Sequence, residues 1–550
     1  MKAASTIIIG SGLSGLVTAY EITKAGKKVI IVDQEGRQNL GGQAYWSFGG
    51  LFFVDSVHQR RLRVKDSLAL AKKDWAGSAN FDRSEDHWPK QWADAYVNFA
   101  YQDKYDYVRK LGLKFFPIVG WAERGAGNAF GHGNSVPRFH ITWGTGPGVI
   151  KPLVEHALEM EIQGLLEFKF RHQVSNILIE NNQVKSISGN ILAEDHKERG
   201  MASNREVIDQ FLLEAEHLVI ATGGIGANLE MVKNQWPARL GNPPNNMVCG
   251  VPAYVDGKMM QIAENAGVHI INKDRMWHYT EGLRNWNPIW PNHGIRILPG
   301  PSSIWLDALG NRLPAPLYPG FDTLATLKHI QKTGHSYSWF ILTQSIIKKE
   351  FALSGSEQNP DLTNKDYGLL IKRLFGKEAT GPVEDFKKHG VDFITSNSLV
   401  ELVDKMNKLS GNNLLDFNQI KQIIEERDSQ LDNSFCKDFQ INYIQNTRRY
   451  LGDKIARTAK PHKILDEKHF PLIAVRLNIL TRKTLGGIET NLNSQAFNQD
   501  GKIIAGLYAV GEAAGFGGGG MHGYNALEGT FLGGCIFTGK QAGQFISKNT

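Results

Sequence analysis

Three glycines at the spacing Gly10-x-Gly12-x-x-Gly15 follow an apolar run, residues 6–9, and open an amphipathic one that begins at Leu13 and Ser14. Small residues there let backbone N–H groups approach a pyrophosphate at the positive end of a helix. Asp33, with Gln34 beside it, closes the next apolar run. A carboxylate in that place accepts hydrogen bonds from ribose hydroxyls. The spacing alone recurs by chance in glycine-rich chains. The strand before it, the helix after it and the acid beyond them make it a dinucleotide site.

Later clusters of small residues extend the site. Gly41, Gly42, Gln43, Ala44, Ser47, Gly49 and Gly50 come soon after Asp33 and let the chain pass close to a large flat ligand. Ala221, Thr222, Gly223 and Gly224 end a second buried run. Gly511 and Glu512 end a third, where the Glu512 carboxylate could hold the hydroxyls of a ribityl chain.

The groups that could move a proton or bind a carbonyl oxygen are Tyr524, His522, Tyr279, His140 and Lys483, with Tyr337 a further tyrosine of the same region as Tyr279. Each has a packing alternative: a loop histidine with its hydrogen bonds satisfied, or an aromatic at a domain seam. Cys249, Cys436 and Cys535 are far apart and form no CxxC, so neither a disulfide framework nor a zinc site is expected. No metal is expected.

Composition limits the remaining classes. Of 550 residues, 41% are hydrophobic and 21% charged, which excludes a mostly disordered chain. Lys+Arg minus Asp+Glu is 62 − 55 = +7, spread without a basic tail, so no nucleic-acid partner is expected. No apolar run is long enough to span a membrane. The apolar stretch after Lys2 imitates a leader but contains the glycine fingerprint, so it is read as mature structure and the protein as cytoplasmic.

The elements that must position these residues begin with a βαβ unit over residues 6–33, which implies a parallel sheet and an α/β class. Residues 55–115 read as helical, 120–147 as glycine-rich loop and 148–162 as helix. Strands are expected near 165–179 and 184–192, split by a turn at Asn181-Asn182, and again at 217–221, 471–478 and 503–509, before a helix at 528–547. Residues 272–462 change character: Pro and Trp are dense first, then Asn and Lys. The expected architecture is a discontinuous Rossmann-like FAD-binding domain, 1–271 with 463–550, and an inserted α+β capping domain, 272–462.

The sequence resembles the flavoprotein family of soluble fumarate reductases, succinate dehydrogenase flavoprotein subunits, L-aspartate oxidase and 3-ketosteroid dehydrogenases. The stretches that carry the resemblance are the N-terminal fingerprint, Ala221 through Asn228, Asp256-Gly257 through Gly267, and Gly506 through Glu512. It implies bound FAD, with Asp256, Asn525, Gly529 and Thr530 added to the cofactor site. Some members attach FAD through a histidine in the first glycine cluster. Residues 40–50 hold none, so noncovalent binding is expected.

Departures bear on substrate. Where fumarate reductases carry a substrate-binding Arg in the closing motif, this chain has Ala526, and Phe321 stands at the place of their proton-donating Arg. A dianionic substrate needs such cations. The ketosteroid branch is the nearer neighbour, although its tyrosine motifs are not reproduced residue by residue. The implied reaction is FAD-dependent removal or addition of hydrogen across a carbon–carbon bond next to a carbonyl. It requires a small-molecule carbonyl substrate and an electron acceptor or donor that the sequence does not identify. Two alternatives stand: a reductase of an unsaturated carboxylate using Arg482 and Lys483, and a non-catalytic dinucleotide-fold binding protein.

Overall fold

The computed structural model describes residues 6–549, apart from 122, 126–131 and 377. The run Thr6–Ile9 is a strand buried along its whole length. It pairs in parallel with Val29–Asp33 on one side and His217–Ile220 on the other. Leu166–Phe170 extends the sheet beyond Val29–Asp33, and Ile503–Ala509 extends it beyond His217–Ile220, both in parallel. Both faces of this sheet are covered, which is why its strands read as continuous apolar runs. Each buried Ile, Leu or Val contributes about 1.5–3 kcal/mol.

Helix Leu13–Lys24 leaves the first strand through the glycine fingerprint and packs along the C-terminal helix Thr530–Asn549. Two glycines force the geometry of that turn. Gly10 has φ +103°, and a Cβ on it would lie 2.6 Å from the Ala221 carbonyl oxygen. A Cβ on Gly15 would lie 2.1 Å from the Gly10 carbonyl oxygen. The helix therefore starts hard against the strand ends, with its N–H groups facing the space beyond them.

Beyond Ile503–Ala509 the sheet continues as an antiparallel set of His172–Glu180, Gln183–Leu192 and Val207–Glu214. Asn181 and Asn182 make the expected turn, both with positive φ. Part of the stretch expected to be loop over 120–147 is ordered differently. Phe139–Thr142 is a strand that pairs with Gly50–Phe52 and Phe115–Gly120, and the next helix starts at Thr145. Its short apolar alternation was hidden among surrounding glycines. Gly127 and Gly131 of that stretch lie outside the described residues.

A second sheet is built around the 13-residue strand Leu472–Thr484, flanked by Tyr337–Thr343 and Met276–Arg284. Helices Gly381–His389, Leu399–Ser410 and Phe417–Ser429 contribute to its core through Phe386, Leu402 and Ile420. Two of its strands come from outside 272–462: Val248–Cys249 and Leu472–Thr484 itself. The sheet thus crosses both boundaries expected from composition. Pairing in three dimensions, not local residue content, assigns a strand to its sheet. The long central strand ends at Thr484, whose hydroxyl accepts from Ile225 N at 3.0 Å, so it joins the second sheet to the loop after His217–Ile220.

Gly15→Ala tests the fingerprint's geometry. Forcing a methyl into that contact costs about 1–3 kcal/mol, so the thermal midpoint falls. An unchanged midpoint in a thermal melt contradicts the packing described.

Candidate active site

The strand ends and the loops after them enclose a cavity of about 1770 Å³, its open mouth included. Gly10, Gly12, Leu13 and Ser14 line it from the fingerprint, and Asp33 and Gln34 from the next strand end. Gly42, Gln43, Ala44, Ser47, Gly49 and Gly50 form a further wall, with Ala221, Thr222, Gly223, Asp256, Glu512 and Gly529. The structure thus gathers most of the expected cofactor residues around one space, from stretches far apart in the chain.

Asp33 is held in place: Oδ2 accepts from Ser11 N at 2.7 Å and Ser11 Oγ at 2.6 Å, and Oδ1 accepts from Glu35 N at 2.9 Å. Glu512, 4% exposed, is the second fixed carboxylate. Its Oε1 accepts from Thr484 N at 3.0 Å, and its Oε2 from Gln43 Nε2 at 3.0 Å and Lys483 Nζ at 3.2 Å. Lys483 also donates to Gln43 Oε1 at 2.6 Å. Two anchored acids with glycine-lined backbone between them fit a dinucleotide with a sugar at one end and a polyol at the other.

Six expected cofactor residues are absent from the cavity lining and act on its frame. Gly15 lets the first helix start. Gly41, at φ +92°, packs against Ile150. A Cβ on Gly224 would lie 2.4 Å from Glu512 Oε1, so this glycine keeps that carboxylate in place. Gly511, at φ +65°, packs against Ser14. Asn525 Nδ2 donates to Ser78 O at 3.0 Å. Thr530 Oγ1 meets His522 Nε2 at 2.8 Å.

A second cavity of about 1460 Å³ shares Phe48, Phe139, Arg296, Leu298 and Glu528 with the first. Its walls are largely apolar, with Phe116, Ile118, Trp121, Ile141, Phe351 and Leu362 among them. Polar groups converge where the two meet. Tyr279 Oη donates to Glu528 Oε1 at 2.8 Å, and Arg296 Nη1 donates to the same oxygen at 2.7 Å. The Arg296 guanidinium carbon lies 3.6 Å from the centroid of the Tyr279 ring, a close cation–π contact. Burial first, then the Glu528 carboxylate, pushes the Tyr279 hydroxyl well above the usual phenol range, with Arg296 opposing. Tyr279 therefore stands as an O–H donor. Burial also raises Glu281, whose Oε2 lies 3.8 Å from Arg296 Nε.

The proposed proton-moving groups separate. Tyr279 and Lys483 line the first cavity. His140, His522 and Tyr524 line neither of these two cavities. His140 is fully buried between Ser56 Oγ at 2.7 Å and Arg138 O at 2.9 Å, and burial pushes it down to about 3. His522 is buried against Trp75, and burial pushes it down to about 3 as well. Tyr524 is turned away: its N donates to Ala79 O and its hydroxyl to Asp82 Oδ1, both at 2.9 Å. Three arginines, Arg83, Arg239 and Arg275, surround its ring. Tyr337 lies in the core of the second sheet.

Sequence reasoning missed Arg296, Phe48 and Phe139 and gave Glu528 no role. Glu528 sits in the closing motif, where the departure from the fumarate reductase pattern was a usable signal. Arg296 sits on a short strand, Gly294–Leu298, with no motif around it.

A family model described as FAD binding domain matches residues 5–532. The chain belongs to that family. Its cofactor is FAD and it is an oxidoreductase. It is 54% identical to a KsdD-like steroid dehydrogenase of Mycobacterium tuberculosis (strain CDC 1551 / Oshkosh), over 98% of this chain and 95% of that protein. Among solved structures it resembles a 3-ketosteroid Δ1-dehydrogenase from Sterolibacterium denitrificans in complex with 1,4-androstadiene-3,17-dione, with TM-score 0.68, 15% identity and all of both chains covered. It also resembles the open conformation of a flavocytochrome c3 fumarate reductase, with TM-score 0.62 and 18% identity over 99% of this chain and 78% of that one. At those identities the two structures speak for the fold.

One buried carboxylate and three buried, neutral histidines each set an expected outcome. Glu512→Ala removes hydrogen bonds to a charged group worth about 1.5–3 kcal/mol. We expect the purified variant to retain FAD at least tenfold more weakly in a dialysis assay, and equal retention contradicts the assignment. Second, burial depresses His140 and His522 to about 3 and His278 to about 4. The unfolded chain takes up these protons below about pH 6.5. Stability is thus fullest above pH 6.5 and falls as pH drops toward those values, read as a falling thermal midpoint. A midpoint that holds or rises from pH 7 to pH 4 contradicts it.

Proposed function

We propose that this flavoenzyme removes two hydrogens from adjacent carbons next to a ketone on an apolar, fused-ring substrate of the 3-ketosteroid class. The observation that carries this reading is the apolar cavity that meets the cofactor cavity at Arg296 and Glu528. A ketosteroid is mostly hydrocarbon with few polar groups, and this space is largely apolar, with Arg296 and Glu528 at the junction and Lys348, Lys349, Arg373 and Arg457 also in its lining. The relative named as a steroid dehydrogenase supports it.

Bound FAD supplies the acceptor for the hydride. The chain's own groups do the rest. Glu528 takes the proton from the carbon next to the carbonyl. Tyr279, whose single O–H is held by Glu528, orients that carboxylate, and the further N–H groups of Arg296 donate toward the carbonyl oxygen, where negative charge grows as that proton leaves. One hydride and one proton leave, and a carbon–carbon double bond forms. Lys483 acts through Glu512 and Gln43 as a positioning residue. The apolar walls, Phe48 and Phe139 among them, exclude water.

Three further features belong to this reading. FAD binds noncovalently, so acid precipitation of the protein releases it. The second sheet and its helices, mainly from 272–462, cap the substrate. The protein acts in the cytoplasm, which its free thiols Cys249, Cys436 and Cys535 support, and passes electrons to an acceptor still to be found. Among the described residues no helix is long and apolar enough to cross a membrane. The carboxylate-reductase alternative fares worse: Lys483 is paired with Glu512, Arg482 Nη1 donates to Gly250 O, and Ala526 is buried.

Glu528→Gln keeps the shape and removes the base. We expect substrate-dependent FAD reduction to slow by about 10²–10⁴-fold in stopped flow, with FAD content unchanged. A rate within a few-fold of the parent overturns the role of Glu528.

A further inference from the structure

The helix Tyr367–Phe375 carries no buried residue, yet it is strongly two-faced. Its Leu370, Arg373 and Leu374 line the apolar cavity. Next to them around the helix, Tyr367, Ile371 and Phe375 stand 68%, 59% and 78% exposed. A second element of the same cavity wall repeats the pattern: in Leu451–Ala456, Ile455 lines the cavity, and both Leu451 and Ile455 are exposed. An aromatic series links cavity to surface. Phe116, in the wall, stacks on Trp143 at 5.9 Å, and Trp143 meets Tyr367 at 5.6 Å. Bulky apolar side chains in water around one cavity mouth mark an interaction surface.

The charges nearby select the occupant. Lys365, Lys372, Arg449 and Lys454 are exposed on these two elements or beside them, and Lys348 and Lys349 line the cavity. Of the acids close by, Asp361 pairs with Arg373 and is buried, Asp453 pairs with Arg124 and is buried, and the two exposed ones, Asp366, which caps the helix at Leu369 N, and Glu378, are outnumbered by the exposed bases. The net charge of the chain is +7. Apolar and aromatic residues with a basic rim are the signature of a helix that lies in the headgroup region of an anionic bilayer.

We propose that this face docks on an anionic lipid surface, with Tyr367, Ile371 and Phe375 inserted and the lysines on headgroups. The cavity mouth then opens toward the acyl chains, where an apolar substrate dissolves. The benefit of such docking rests on the substrate reading above. Lipid binding itself is measured without substrate, so either can fail alone.

The test is co-sedimentation of the FAD-loaded protein with vesicles of phosphatidylcholine and phosphatidylglycerol in equal parts, against phosphatidylcholine alone. We expect sedimentation with the mixed vesicles, weakened by salt. Ile371→Asp with Phe375→Asp should lower partitioning by about tenfold or more, with FAD content and thermal midpoint unchanged. Lys365→Glu with Lys372→Glu, both on exposed positions, should lower it on the mixed vesicles alone. Protein that stays in the supernatant, or apolar variants that sediment like the parent, overturn the proposal. So does light scattering that shows an oligomer dissolved by the aspartate variants with no vesicle binding, because the face would then join two copies of the chain.

Discussion

The buried cluster of Glu512, Lys483, Gln43 and Thr484 is the joint on which the site depends. Its members come from three distant stretches: the loop after the second parallel strand, the end of the long strand of the second sheet, and the turn after the last parallel strand. Glu512 without Lys483 would be an unpaired carboxylate away from water, which is costly, and Lys483 without Glu512 an unpaired ammonium. The pair therefore holds the second sheet in register with the first. Gln43 and Thr484 also donate to Glu512, and Lys483 also donates to Gln43, so the acid faces the cofactor cavity in one orientation. Gly224 keeps the space for it.

That joint also separates two environments. On one side lies a cavity of glycine backbone and anchored acids, suited to a charged, hydroxyl-rich cofactor. On the other lies a cavity walled largely by phenylalanines, leucines and prolines, with Arg373 and Arg457 among its charged members. Where they meet, Arg296 is held by Glu528 and stacked on Tyr279, so one cation, one anion and one buried O–H converge. In a water-poor space such groups act strongly on a carbonyl. The same segment of the fold that completes the apolar cavity carries the exposed apolar helix, so substrate entry and surface docking share a wall.

Much of the fold was legible because its signals are local. The fingerprint, Asp33 and the runs at 217–221 and 503–509 announce parallel strands through apolar character, and glycines mark their ends. Apart from Tyr279, the candidate site was legible only in its cofactor half. Arg296 and Glu528 are 232 residues apart in sequence and meet where a strand of the second sheet faces the turn before the C-terminal helix, which no local pattern reports. Tyr524 sat next to a motif and looked well placed, but Gly523, at φ +57°, turns the chain so that its hydroxyl reaches Asp82. His140 and His522 had the right chemistry in the wrong burial. Both are held neutral in the core, His140 with both ring nitrogens hydrogen-bonded and His522 with Nε2 on Thr530, and act as packing groups. The path of the strand Leu472–Thr484 into the second sheet was also hidden, since its apolar character suits either sheet.

The central claim is that the apolar cavity presents a saturated ketone to FAD for removal of hydrogen. The most direct measurement is the visible spectrum of the FAD-loaded protein under anaerobic conditions, before and after addition of a saturated 3-ketosteroid. The account predicts loss of the oxidised flavin bands together with formation of the unsaturated ketone. Oxidised bands that persist with that ketone, and bleach instead with a saturated dicarboxylate, would contradict it.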